Sequence, residues 1–210
     1  MIRALIADDH TVVRRGVIEI LTRELKDAVC GEAENAQQVL AQVHAHDWDL
    51  VILDINMPGR SGLEVLVDLK RERPKLPVLI LSMHPEEQYG KRMLRAGASG
   101  YMSKDADPDE LIKAIRKVLA GGRYVSPVLA EALALDLGRG AGLPLHESLS
   151  NRELEVLRLI GSGKTVSQIG EMLQLSVATV STYRARILEK MSMTTTAELM
   201  NYALRNRLVD

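Results

Sequence analysis

The stretch Leu50-Val51-Ile52-Leu53-Asp54-Ile55-Asn56-Met57-Pro58 decides how this chain is read: four consecutive apolar residues run into a carboxylate, then into a loop containing Pro58 and Gly59. A strand with one wet face would alternate apolar and polar residues, so a continuous run of this length describes a strand covered on both faces. Comparable runs recur at 4–7 (ALIA), 29–33 (VCGEA), 78–82 (VLILS) and 100–104 (GYMSK). Between them lie helical patterns. Val13, Val17, Ile20 and Leu21 fall at i, i+4, i+7 and i+8, and Ala36, Val39, Leu40 and Val43 at i, i+3, i+4 and i+7. A fifth helix opens with Asp107 as N-cap and Pro108 at its first position, and stops at Gly121-Gly122. Buried strands alternating with helices predict a doubly wound α/β domain with five parallel strands over residues 1–122.

In such sheets the working residues sit at the carboxyl ends of the strands. Those ends carry Asp8 and Asp9, Asp54, Ser82 and Lys104. Singly, each has a plain explanation: a helix N-cap, a loop hydroxyl, a solvated charge. Together, three carboxylates on neighbouring strand ends would repel unless a hard cation such as Mg²⁺ offset them. Lys104 and Ser82 could then hold the oxygens of a phosphoryl group placed on a carboxylate. Asp54, ending a central strand, is the candidate nucleophile, and Asn56 could offer its backbone carbonyl to the metal. Cys30 is the only cysteine, which excludes an internal disulfide and any cysteine zinc cluster.

At 210 residues there is room for a second domain. Residues 127–137 carry one more helical pattern, within a linker of 123–146 whose 137–144 stretch (LGRGAGLP) reads as flexible. Beyond it no strand pattern remains. Ser150 with Glu153, Thr165 with Gln168 and Thr195 with Glu198 are capping boxes, and Ser176 is a further N-cap, giving four short helices over 147–210. The second and third, about 166–173 and 177–191, are spaced as a helix-turn-helix. On the third, Val180, Tyr183, Ile187 and Met191 share a core face. The opposite side carries Ala178, Ser181, Thr182, Ala185 and Arg186, small or hydrogen-bonding groups suited to base edges; Arg184 and Lys190 are placed for flanking phosphates. Thr165 and Thr179, at the openings of the two helices, complete the candidate DNA contacts. Net charge over the whole chain is −1, but residues 149–210 carry 8 Lys and Arg against 6 Asp and Glu, which permits DNA without requiring it. No apolar run approaches the roughly 20 residues of a membrane span, and the start of the chain is unlike a secretory leader, so a cytoplasmic protein is expected.

The motifs LIADDH, LVILDINMP, LILS and YMSK resemble the receiver domain of two-component response regulators, a flavodoxin-like fold. LSNRELEVL, GKTVSQIG and TVSTYRARILEKM, over about 147–210, resemble the LuxR/NarL/FixJ output domain. The resemblance implies Mg²⁺ bound by Asp8, Asp9 and Asp54, and phosphoryl transfer to Asp54 from a sensor histidine kinase or a histidine phosphotransfer protein. It further implies phosphoryl contacts from Ser82 and Lys104, and a switch at Ser82 and Tyr101, the aromatic whose rotamer follows phosphorylation. His84, two residues beyond Ser82, would bear on hydrolysis of the phospho-aspartate. In the output domain it implies that Ser181, Thr182 and Ala185 face bases and that helix 195–206 forms a homodimer interface on DNA with paired half-sites; RNA polymerase is a further partner such a regulator can touch. The chain would then catalyse only its own phosphorylation and dephosphorylation. Two rivals remain: an Asp-nucleophile phosphatase, against which Asn56 stands where that chemistry usually needs a second Asp, and a regulator whose acidic cluster is vestigial.

Overall fold

A computed structural model describes residues 1–57, 60–137 and 144–209. The chain divides into two compact units, Met1–Gly140 and Ala141–Asp210.

In the first unit five strands, β1 (Ile2–Ala7), β2 (Ala28–Ala33), β3 (Leu50–Leu53), β4 (Val78–Ser82) and β5 (Gly100–Ser103), alternate with helices α1 (Thr11–Glu24), α2 (Ala36–Ala45), α3 (Gly62–Glu72), α4 (Glu86–Arg95) and α5 (Pro108–Leu119). The strand order is β2-β1-β3-β4-β5, every pairing parallel. β3 and β4 are buried at every residue, as their unbroken apolar runs require, whereas edge strand β2 is only partly covered. Side chains alternate across the sheet. Ala4, Ile6, Leu50, Ile52, Leu79, Leu81 and Met102 join Val17 and Leu21 of α1 and Leu111, Ile112 and Ile115 of α5 in one core. Each fully buried Leu or Ile there contributes about 1.5–3 kcal/mol. Strand order reverses at β1, so the carboxyl ends of β1 and β3 flank the crevice where this architecture places its chemistry.

A sixth helix, α6 (Pro127–Leu137), belongs to the first unit, although the sequence put it in a linker of 123–146. The reason is packing. Ser126 hydrogen-bonds Glu86 at the start of α4 and accepts the Leu129 N–H, capping α6. Leu129 is fully buried against Gly90: a Cβ on that glycine would stand 2.6 Å from the leucine Cδ2. The stretch expected to be flexible, 137–144, lies mostly outside the described residues.

The second unit opens with a 3-10 turn over Leu145–Ser148, followed by α7 (Asn151–Gly161), α8 (Val166–Leu173), α9 (Val177–Lys190) and α10 (Thr196–Arg205). All three capping boxes form, and Ser176 accepts the Thr179 N–H at the head of α9. The turn between α8 and α9 is tight. Gln174 adopts φ 54°, Leu175 donates its N–H to the Gly170 carbonyl, and a Cβ on Gly170 would lie 2.8 Å from the Leu175 carbonyl oxygen. Among the described residues no helix is long and apolar enough to cross a membrane.

Candidate functional site

The fold gathers all the strand-end residues named from sequence. Asp8 follows β1, Asp54 follows β3, Ser82 ends β4 and Lys104 follows β5; Asp8, Asp54 and Ser82 are buried. Lys104 Nζ bridges two carboxylates, 2.6 Å from Asp8 Oδ2 and 2.9 Å from Asp54 Oδ2. Burial works to lower the Lys104 pKa, but its two ion pairs raise it above the ordinary lysine value, so it stays charged. The Asp54 carboxyl is pushed above the usual carboxylate range by burial and by Asp8, against the lowering effects of Lys104 and the Asn56 backbone. A buried, poorly solvated carboxylate held by one ammonium suits a nucleophile that must meet an electrophile without a water shell.

Ligand atoms of Asp8, Asp9, His10 and Asp54 lie within 4.8 Å of one another. Asp9 Oδ1 is 2.8 Å from His10 Nδ1 but makes no hydrogen bond there. Crowded carboxylates with a buried, unsatisfied oxygen fit a hard divalent cation, and the oxygen-rich donor set suits Mg²⁺. His10 was not among the residues picked out from sequence. Its ring nitrogen is 3.1 Å from Asp8 Oδ1, which also accepts the His10 backbone N–H at 2.8 Å.

Above this cluster the Asn56 amide meets His84 Nε2 at 2.7 Å, and the His84 backbone N–H donates to Ser82 Oγ at 3.1 Å. Tyr101 is wholly buried; its phenol donates to the His84 carbonyl at 2.9 Å, and burial raises its pKa. The His84 ring stacks on Tyr89 of α4 with centroids 4.5 Å apart. Ser82, His84 and Tyr101 therefore form one connected group running from the acidic cluster to α4.

A second residue escaped the sequence reading: Arg14, fully buried on α1. Its position relative to Val17 and Leu21, at i+3 and i+7 on the buried stripe, was the signal available.

On the second unit, Val180, Ile187 and Met191 are buried and Tyr183 is half-buried, as the wheel required. Ala178, Thr182, Ala185 and Arg186 are exposed along the opposite face, Ser181 and Arg184 partly so, and Thr165 is exposed at the head of α8. Thr182 turns its hydroxyl back to the Ala178 carbonyl, and the Thr179 hydroxyl lies 2.8 Å from Ser176 Oγ in the cap. Lys190 Nζ lies 2.7 Å from Oε2 of Glu153, a buried carboxylate that needs a cation partner. Burial tends to raise the Glu153 pKa, but Lys190 and Ser150 hold it below the ordinary value.

These two surfaces fall within two sequence families. Residues 4–116 match the response regulator receiver domain, and residues 147–203 match the bacterial regulatory proteins of the luxR family. The response regulator GacA of Pseudomonas aeruginosa is 38% identical over 214 residues, covering 100% of this chain and 99% of its own length. UvrY of Escherichia coli is 35% identical, covering 99% and 96%. Among solved structures, RcsB of Salmonella typhimurium superposes with a TM-score of 0.61 at 25% identity over 96% of this chain and 98% of its own. The same regulator bound to the promoter rprA in the presence of the phosphomimetic BeF3− gives 0.59 at 25% identity, with 96% and 98% coverage. The chain belongs to the two-component response regulators of the LuxR family, a receiver domain joined to a helix-turn-helix domain.

Proposed function

We propose that Asp54 accepts a phosphoryl group from the phosphohistidine of a sensor kinase or phosphotransfer protein, and that this governs DNA binding by the second domain. The observation that carries the reading is the Lys104 ammonium bridging Asp8 and Asp54 inside the acidic cluster. An Asp54 oxygen attacks phosphorus; the P–N bond breaks, and the imidazole leaves with the electron pair and takes a proton. Mg²⁺, held by Asp8, Asp9, Asp54 and the Asn56 carbonyl, would supply positive charge against the carboxylates and the transferring group. Lys104 supplies the second positive charge, already in place and desolvated. Ser82 offers a hydroxyl to a phosphoryl oxygen, and any change in its bonding reaches the His84 segment directly and Tyr101 through it.

On the output side, Ala178, Ser181, Thr182, Ala185 and Arg186 enter the major groove with Arg184 and Thr165 on the flanks, a reading supported by their exposure on one face of α9; that RcsB is seen bound to a promoter supports DNA as the partner. Lys190 is left out of this set. Phosphorylation shifts a pre-existing equilibrium toward a homodimer, paired through α10, that occupies two half-sites. The protein acts in the cytoplasm, where RNA polymerase is within its reach.

The test is incubation with acetyl phosphate and Mg²⁺, followed by intact mass and DNA selection. One acyl phosphate per chain, lost on adding EDTA beforehand and absent in Asp54→Asn, together with tighter DNA binding, is the expected result. Multiple turnovers of a phosphate ester would favour a phosphatase; DNA affinity indifferent to Asp54→Asn and phosphodonor would favour a regulator with a vestigial cluster.

A further inference from the structure

Arg14 lies in the first turns of α1 with its side chain 4% exposed. A guanidinium removed from water needs its donors filled. Here three acceptors on two chain segments meet them: Nη1 donates to the Asp8 carbonyl oxygen at 2.7 Å, Nε to Glu32 Oε2 at 3.0 Å, and Nη2 to Glu34 Oε1 at 2.6 Å. Glu32 is on β2 and Glu34 just beyond it, while the Asp8 N–H donates to the Ala33 carbonyl at 3.1 Å. The Asp8 main chain is thus tied on both sides, its N–H to β2 and its C=O to Arg14.

This tie bears on charge. Asp8 and Asp9 are consecutive carboxylates aimed at a third, Asp54, and an unrestrained β1–α1 loop would relieve the repulsion by rotating them apart. Arg14 bonds the carbonyl of Asp8 and leaves its carboxylate to Lys104 and His10. We propose that Arg14 is a positioning residue that presets the Asp8–Asp9 loop for a divalent cation; this rests on the reading that Asp8, Asp9 and Asp54 hold Mg²⁺. The role uses the planar fork of arginine, which reaches three acceptors in fixed directions; the point charge of lysine cannot.

The test compares the full-length protein with Arg14→Lys and Arg14→Met, measuring Mg²⁺ affinity by calorimetric titration with MgCl2, Tm in EDTA, and acyl-phosphate formation from acetyl phosphate against Mg²⁺ concentration. Arg14→Lys is expected to weaken Mg²⁺ binding about tenfold and Arg14→Met by more, in the range typical of removing a group that orients metal ligands. The half-saturating Mg²⁺ concentration should rise by the same factor, while the rate at saturating Mg²⁺ stays within about twofold of wild type, because Arg14 touches none of the reacting atoms. A residue that merely clamps α1 to β2 would lower Tm and leave both Mg²⁺ values unchanged, which overturns the proposal. Should Arg14→Met fail to fold, Arg14→Lys, with its charge retained, decides alone. A wild type that neither binds Mg²⁺ nor forms acyl phosphate overturns the cation reading itself; a wild type that binds it beside an unaltered Arg14→Lys overturns only the inference.

Discussion

The crevice at the ends of β1 and β3 and the outer face of α9 solve opposite problems. In the crevice Asp8, Asp54 and Lys104 are shielded and already paired, with Asp54 2% exposed and Lys104 shared between two carboxylates. On α9 the groups offered outward are mostly exposed and hold few internal bonds. An enclosed reaction site concentrates its energy in a few strong, desolvated interactions, so single substitutions there act almost all or none. An open surface that meets a polyanion spreads its energy over many weak contacts that add.

The largest effect that would sharpen this contrast comes from Asp54→Asn. Acyl phosphate should vanish entirely in intact mass spectra, while the Mg²⁺-free protein becomes more stable at neutral pH. The sign follows from linkage: the folded Asp54 pKa is raised, the native state binds more protons than the unfolded one, and wild-type stability falls as pH rises from the ordinary carboxylate value through the folded one. The Asn variant lacks that slope, so Tm against pH in EDTA should diverge above about pH 4. Lys104→Met should slow phosphorylation by acetyl phosphate about 100-fold, the usual cost of removing one preorganised positive group, as read by rapid-quench assay. A drop of only a few-fold would mean that the crevice behaves like the open face.

Lys190→Met comes next. It strands the buried Glu153 carboxylate, lowering the stability of the second unit by about 1–2 kcal/mol in urea unfolding, yet the salt dependence of DNA binding should not change. The smallest expected effect is Arg186→Ala, which should weaken DNA binding about three- to tenfold and reduce the slope of log affinity against log salt by about one. Were Lys190→Met to flatten that slope instead, Lys190 would belong with the phosphate contacts.

Much of the fold was legible because its signals are local. Unbroken apolar runs marked β1, β3 and β4, shorter mixed runs marked β2 and β5, and the capping boxes at Ser150, Thr165 and Thr195 located the helices of the second unit to within a residue or two. The acidic cluster was legible for the same reason: parallel topology delivers strand ends to one edge whatever lies between them. What escaped depends on partners distant in sequence. Arg14 reads as one more polar residue until Glu32 and Glu34 are seen across the β2 edge. Lys190 and Glu153 stand 37 residues apart, and no spacing rule connects them. The docking of α6 was equally hidden, since half of α4 is charged in sequence and it advertises no apolar face beyond Tyr89, Met93 and Leu94.

The notch at Gly90 works as a keyhole, and Leu129 is its key. A receiver excised at Gly122 would lose that key together with the Ser126 bond to Glu86, uncovering an apolar slot on the helix next to the Tyr101 and His84 group. Such a fragment is an incomplete body, prone to self-association; cutting beyond Leu137 keeps the slot filled. A Cβ at position 90 would force the Leu129 side chain to shift in its seat without touching the acidic cluster.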